Sequence, residues 1–401
     1  MIYTRHTARP RNWYIDMSKL PSNFATADLS NWRSPLHSRW AFRHVGEIIP
    51  TAPIENDPAD ISELVEASEG GGLLLSKLLL NAIRTDAIVI LRDGKIIFEW
   101  YARGNNAHVP HILMSATKAV VGLLAGILHE TGDLDLDAKV STYVAEIATT
   151  AYQGATLRNL LDMRTGIVLE SEQQRAYDVA TNWEPAANGD KGADLVSFFQ
   201  NLTAQQQVHG GPFSYISANT DLLGWAIERA TGQTIAALLS ARIWKPMGAE
   251  HRAYITVDGK GLARCAGGLC ATARDLARLG QLIVDNGQRG ARQIIPASVI
   301  SDIVNNGDAD AWRNGEWGKS FASISKNMRY RSGWYLVDDQ PKTMFAMGIH
   351  GQNLFIDRAN AIVVAKTSSW KKPVDYVPLW ATHRGFEKLQ RTLARRKATL
   401  S

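Results

Sequence analysis

The chain has 401 residues, 45% hydrophobic and 21% charged, with a formal net charge of +5. That is globular composition, long enough for one large domain or two intimate lobes without disulfide staples. The mild charge argues against a nucleic-acid partner, and no apolar run reaches the ~20 residues of a membrane span, so no membrane association is expected.

The start, "MIYTRHTARPRNWYIDMSKL", lacks the apolar stretch of a secretory signal, and the expected location is cytoplasmic. Residues 1–70, rich in Pro, Asn, Asp and Ser, read as an extended arm wrapped over a body. The apolar runs "GGLLLSKLLLNAI" and "AVVGLLAGIL" read as buried helices. Between them, Ile88–Leu91 and Ile96–Tyr101 flank Asp93-Gly94, a strong hairpin signal. The helix after Ser115 should stop at Gly132.

Residues 133–255 carry helical periodicity in "TLRNLLDM", "ADLVSFFQNL" and "TDLLGWAIERAT", and form a helical insert. Thr272 and Asp275 then open a helix with a capping-box-like start. Further on, "YRSGWYLV", "MFAMGIHGQNLFID" and "AIVVAKTSSW" each read as a strand, and "EKLQRTLARRK" as the solvated face of a last helix. Strands towards both ends with helices between them predict an α/β (α+β) fold. Residues 71–132 and 256–401 would form the α/β domain, and residues 133–255 the inserted lobe.

Cys265 and Cys270 cannot make a tetrahedral metal site alone, and no nearby histidine pair has ligand spacing to complete one. They read as reduced thiols in a core. No metal and no cofactor is expected.

The chemistry centres on "MSATK". Ser115 at a helix start is an ordinary cap, but Lys118 three positions on returns to the same face. The positions that follow are almost all apolar, so that face is expected to be buried. Burial lowers a lysine's pKa and yields a neutral amine able to take a proton from a hydroxyl, which is how a serine nucleophile is activated. Two more stretches bear on this reading. "GPFSYISANTDLLGWAIE" places Tyr215 between a Gly-Pro loop and a helix, with Ser217 and Asn219 near. The phenol either packs on that helix or joins a proton relay. "GIHGQNLFID" sets Gly348, His350 and Gly351 at a strand start, where glycine admits substrate and a strand amide can bond an oxyanion.

In this order and spacing the three elements resemble the serine hydrolases of the penicillin-binding and β-lactamase fold, whose S-x-x-K signature stands on a helix. Within that group, "RWAFRHVGEIIP", "YISANTDLLGW", "CATARDLARLG", "GIHGQN" and "SSW" are similar to the 6-aminohexanoate-dimer (nylon oligomer) hydrolases and their esterase relatives. The resemblance covers residues 39–385. It implies an antiparallel sheet flanked by helices, Ser115 as acyl acceptor, Lys118 as base, Tyr215 as the acid for the leaving group, and the amides of Ser115 and Ile349 as oxyanion hole. It also implies a pocket with Trp183, Ser217, Asn219, Ala266, His350 and Gly351. Trp183 would sit on a mobile segment, unless it is a core residue of the lobe.

The chain departs from that branch before Trp183, where no clear match appears for a tyrosine that helps release an amine; Gln173 and Tyr177 are the residues in the region. A G-x-S-x-G elbow is missing, "GEWGKS" fails as a phosphate loop at Arg313, and "KTM" at Lys342 lacks the glycine of K-T-G. The expectation is a hydrolase of small-molecule esters or amides. Its alternatives are a 6-aminohexanoate-oligomer amide hydrolase and a non-catalytic peptide-recognition module; homodimer formation stays open.

Overall fold

The computed structural model describes residues 27–67, 77–187, 193–203 and 208–400. Its centre is a seven-stranded antiparallel sheet. The strands are β1 (Thr85–Arg92), β2 (Lys95–Tyr101), β3 (Met328–Arg331), β4 (Trp334–Val337), β5 (Thr343–Gly348), β6 (Gln352–Asp357) and β7 (Ile362–Ser368), in the spatial order β2-β1-β7-β6-β5-β4-β3. Asp93 and Gly94 turn the β1–β2 hairpin with φ of 49° and 75°, the left-handed pair a two-residue loop requires.

Alternation along the strands sends side chains to two different cores. On β7, Val363 and Ala365 face one side while Ile362 and Val364 face the other; on β6, Leu354 and Ile356 oppose Phe355. The first face is covered by α1 (Thr117–Glu130) and α3 (Ala273–Val284), the second by α4 (Tyr376–Leu400) through Phe386, Leu389 and Leu393. Thr272 caps α3 by accepting the Asp275 amide at 3.0 Å.

Between α1 and α3 the chain builds the helical lobe, including Leu157–Leu161, Ser171–Ala180, Leu195–Asn201 and α2 (Ser217–Thr231). It returns through Ala253–Thr256, which joins a small antiparallel sheet with Thr51–Ile54, Leu269–Ala271 and His111–Ile112. The described part of the arm therefore supplies a strand of this sheet and a short helix, Ser38–Ala41.

Three local expectations need correction. "YRSGWYLV" is a hairpin, β3 and β4, because Ser332 and Gly333 adopt φ of 49° and 86°. "MFAMGIHGQNLFID" is likewise split into β5 and β6 by a tight turn over Ile349–Gly351. In "GGLLLSKLLLNAI", residues 71–76 lie outside the described residues, and in the helix Lys77–Ala82 Leu80 is buried while Leu78 and Leu79 are exposed.

Candidate active site

Ser115 lies in a single 3-10 turn, Met114–Ala116, that feeds directly into α1. Met114 adopts φ of 48°, a left-handed conformation that a bulky residue takes only when its surroundings impose it. One turn along α1, Lys118 places Nζ 3.1 Å from Ser115 Oγ, 3.2 Å from Ser217 Oγ and 2.6 Å from the Ala266 carbonyl. Burial of the amine pushes its pKa down to about 7; nearby Asp221 opposes the shift and Arg264 adds to it. A neutral amine has two protons and one lone pair. Since the Ala266 carbonyl can only accept, one of the two serine hydroxyls donates to that lone pair.

Tyr215 closes the other side. Its ring stacks on Trp317 at 4.4 Å and lies under Lys118 Nζ, 4.9 Å from the centroid. The buried hydroxyl makes no well-formed hydrogen bond, yet Ser115 and Ser217 are its polar neighbours. Burial pushes its pKa up to about 12, so the phenol keeps its proton.

A buried network holds this group in place. Asp221 on α2 accepts from the Ala266 amide at 2.7 Å, from Arg264 at 2.8 Å and from the Tyr177 hydroxyl at 2.5 Å. Arg264 also donates to Tyr177 at 2.9 Å and lies over the Trp183 ring, 4.6 Å from its centroid. Trp183 meets Trp32 of the arm edge-on at 4.8 Å and is nearly buried.

Two cavities meet at Ser115 and Tyr215. The larger, about 610 Å³, has polar walls from Gln174, Asp178, Arg264 and Glu316 together with Ile167, Val168 and Leu169. The smaller, about 210 Å³, is walled mainly by aromatic and aliphatic side chains under the start of α4. Ile349 lines both. Beside it, Gly348 is obligatory, since a Cβ there would come within 2.5 Å of the Leu113 carbonyl and 2.9 Å of the Ser115 amide nitrogen.

Trp183, Ser217 and Ala266 line the larger cavity, and Gly351 the smaller. Two other expected lining residues stand outside both. Asn219 is fully buried, accepting from Tyr152 at 3.0 Å and Thr165 at 3.2 Å. His350, at φ of 60°, turns inward to donate Nδ1–H to the Trp370 carbonyl at 2.7 Å, with its ring against Phe42. Burial lowers its pKa to about 4, so it stays neutral. Gln173 caps the helix Ser171–Ala180 by accepting the Glu170 amide, and the Tyr177 phenol is occupied by Asp221 and Arg264. Asp221 and Arg264 themselves went unread because nothing local in the sequence links residues 43 apart. Away from this centre, His108, Glu250 and His251 cluster within 4.8 Å, with Glu250 already paired to Arg278 at 2.8 Å.

A serine beside a buried lysine, on a helix packed between an antiparallel sheet and a helical lobe, defines a serine hydrolase of the β-lactamase and penicillin-binding fold. Residues 77–386 match the beta-lactamase family, and the chain belongs to it. The 6-aminohexanoate-dimer hydrolase of Paenarthrobacter ureafaciens is 32% identical over 354 residues, 86% of this chain and 88% of its own. Esterase EstB of Burkholderia gladioli is 28% identical over 162 residues, 36% of this chain and 38% of its own. Among solved structures, a candidate 6-aminohexanoate-dimer hydrolase of Bacillus anthracis matches with a TM-score of 0.79 at 26% identity, covering 91% of this chain and 97% of that one.

Proposed function

We propose that the enzyme hydrolyses small-molecule carboxylic esters, and short linear amides more slowly, through an acyl-enzyme on Ser115. The observation that carries this is the 3.1 Å contact between Ser115 Oγ and the buried amine of Lys118. Lys118 takes the Ser115 proton as Oγ attacks the substrate carbonyl. The tetrahedral oxyanion settles between the amides of Ser115 and Ile349. Collapse breaks the bond to the leaving group, which is protonated from Tyr215, and the phenol is replenished from Lys118. Water then attacks the acyl carbonyl, gives its proton to the same relay and frees Ser115.

Ester is favoured because an alkoxide needs less help to depart than an amine. Where a phenol could assist an amine, the larger cavity has Ile167, Val168 and Leu169, and the Tyr177 hydroxyl is locked in its network. The amide reading draws support from Asp178 and Glu316 on that cavity, which suit a cationic substrate end, and from the dimer-hydrolase relative. The unpaired thiols Cys265 and Cys270 fit a reducing compartment, and the cytoplasm is the proposed location. Among the described residues, no helix is long and apolar enough to cross a membrane.

The test is to treat wild type and Ser115→Ala with a fluorophosphonate, then assay p-nitrophenyl esters, the linear 6-aminohexanoate dimer and a chromogenic cephalosporin. Labelling and ester turnover should vanish together in the variant. Ester hydrolysis by Ser115→Ala at the wild-type rate would refute the acyl-enzyme, and an unlabelled, inactive wild type would favour a recognition module.

A further inference from the structure

The smaller cavity runs from Ser115 and Tyr215 between Trp317, Phe321 and Leu379 to a floor formed by Asn353 and Trp370. The walls are apolar, but the floor is not. Asn353 is 1% exposed, yet neither its Nδ2 nor its Oδ1 has a partner, and the buried Nε1 of Trp370 has none either. A buried polar group left unpaired is costly, so three such atoms around one floor require an explanation.

Beneath them lies a buried amine with no carboxylate in direct contact. Lys366 stands directly across from Asn353 on β7, on the same face of the sheet. Its Nζ donates to Ser368 Oγ at 2.5 Å and to the Gly351 carbonyl at 3.4 Å, and lies 5.1 Å from the Trp370 ring centroid. Among the described residues no carboxylate comes within ion-pair distance of it. Burial pushes its pKa down to about 7, only partly opposed by the more distant Asp86; an anion in direct contact would favour the charged form further. Gly351, at φ of 91°, packs directly on the indole: a Cβ there would fall 2.2 Å from Cε2 and 2.5 Å from Nε1 of Trp370.

We propose that this cavity is a carboxylate-reading subsite, which takes a short linear arm of the substrate and holds its terminal carboxylate with Asn353 Nδ2 and Trp370 Nε1 above Lys366. A carboxylate matches because its oxygens accept both N–H groups and its charge answers the buried amine. The volume, about 210 Å³, is roughly seven times the ~30 Å³ share of one liquid water, which suits a short chain. The proposal rests on the acyl-enzyme reading above and names the substrate class that site prefers.

Its test compares p-nitrophenyl esters and alkyl esters whose arm, on the acyl or on the alcohol side, ends in carboxylate, carboxamide or methyl. Wild type should favour carboxylate over methyl on one of the two sides by on the order of tenfold or more in kcat/KM, with carboxamide between them. Asn353→Leu and Trp370→Phe should each shrink that ratio to a few fold. Because the readout is a ratio, a general loss of activity cancels. Equal turnover of methyl and carboxylate arms by wild type, preference for carboxamide over carboxylate, or a ratio intact in both variants would overturn the subsite. Fluorophosphonate labelling and turnover of the methyl esters report separately on Ser115, so the acyl-enzyme reading can stand while this one falls.

Discussion

Asp221 holds the residue that holds the Lys118 amine: it accepts the Ala266 amide at 2.7 Å, and the carbonyl of Ala266 receives Lys118 Nζ at 2.6 Å. Asp221 also favours the charged form of Lys118, whereas Arg264 disfavours it. Asp221→Asn removes the carboxylate that offsets Arg264 at the amine and draws the Lys118 pKa below about 7. The acid limb of kcat/KM should move to lower pH, while kcat falls ~10–100-fold, the scale of a misplaced catalytic group. A pH–rate profile beside the wild type checks both, and an unmoved limb would show that Asp221 does not tune the amine.

Activity should follow the neutral fraction of Lys118. With its pKa near 7, kcat/KM is expected to rise through neutral pH and level off on the alkaline side, where Tyr215, pushed up to about 12, still holds its proton. Lys118→Arg keeps a charge at every accessible pH and should be inactive throughout. A profile that falls on going from pH 6 to pH 8 would assign the proton relay to some other group.

The same burial makes Lys118 a liability for stability. Its folded pKa of about 7 lies below the 10.5 of an exposed lysine, so folding is penalised in full below pH 7, less as pH rises between the two values, and not above the upper one. Lys118→Met should therefore abolish turnover yet raise Tm by a few degrees at pH 6, with the gain shrinking towards pH 10. Thermal unfolding at the two pH values decides it. A lower Tm in the variant at pH 6 would mean that the lost bonds to Ala266, Ser115 and Ser217 outweigh the desolvation.

Gly348→Ala tests the close approach of β5 to Ser115. The added methyl would strike the Leu113 carbonyl, Met114 Cβ and the Ser115 amide, all under 3.0 Å, and drive the strand end away from Ser115. Displacing the Ile349 amide should cost ~10²–10³ in kcat, the measured scale for one oxyanion donor. KM and the circular dichroism spectrum should change far less. A variant with normal kcat would move the oxyanion hole elsewhere.

The hairpin at Asp93-Gly94 and the S-x-x-K pair were legible because each is local: a turn dipeptide and a spacing on one helix face. The capping role read for Ser115 is not seen, since Ala116 is the N-cap of α1 with no side-chain bond and the Ser115 hydroxyl meets Lys118 instead. Reading failed where turns are made by residues that do not announce them. Ser332 and His350 both take left-handed φ, so two pairs of strands looked like single runs. Asn219 failed for a geometric reason. It lies two residues from Ser217, and positions i and i+2 on a helix face different ways, so Ser217 reaches Lys118 while Asn219 points into the lobe core. Arg264, Asp221 and Asn353 acquire meaning only when distant segments meet, which no single stretch records.

The order of the strands sets a timetable. β1 is made early, but its inner neighbour in the sheet is β7, the last of the seven strands to be made. Until then the first hairpin has one open edge and the core that covers α1 is unfinished. Lys118 keeps an ordinary, charged amine as long as water reaches it, so on the proposed mechanism the nascent polypeptide carries Ser115 and Lys118 side by side without a working pair. Hydrolytic power arrives only when the sheet is sealed by its final strand, and a chain cut before residue 362 is expected to be inert however well its lobe has folded.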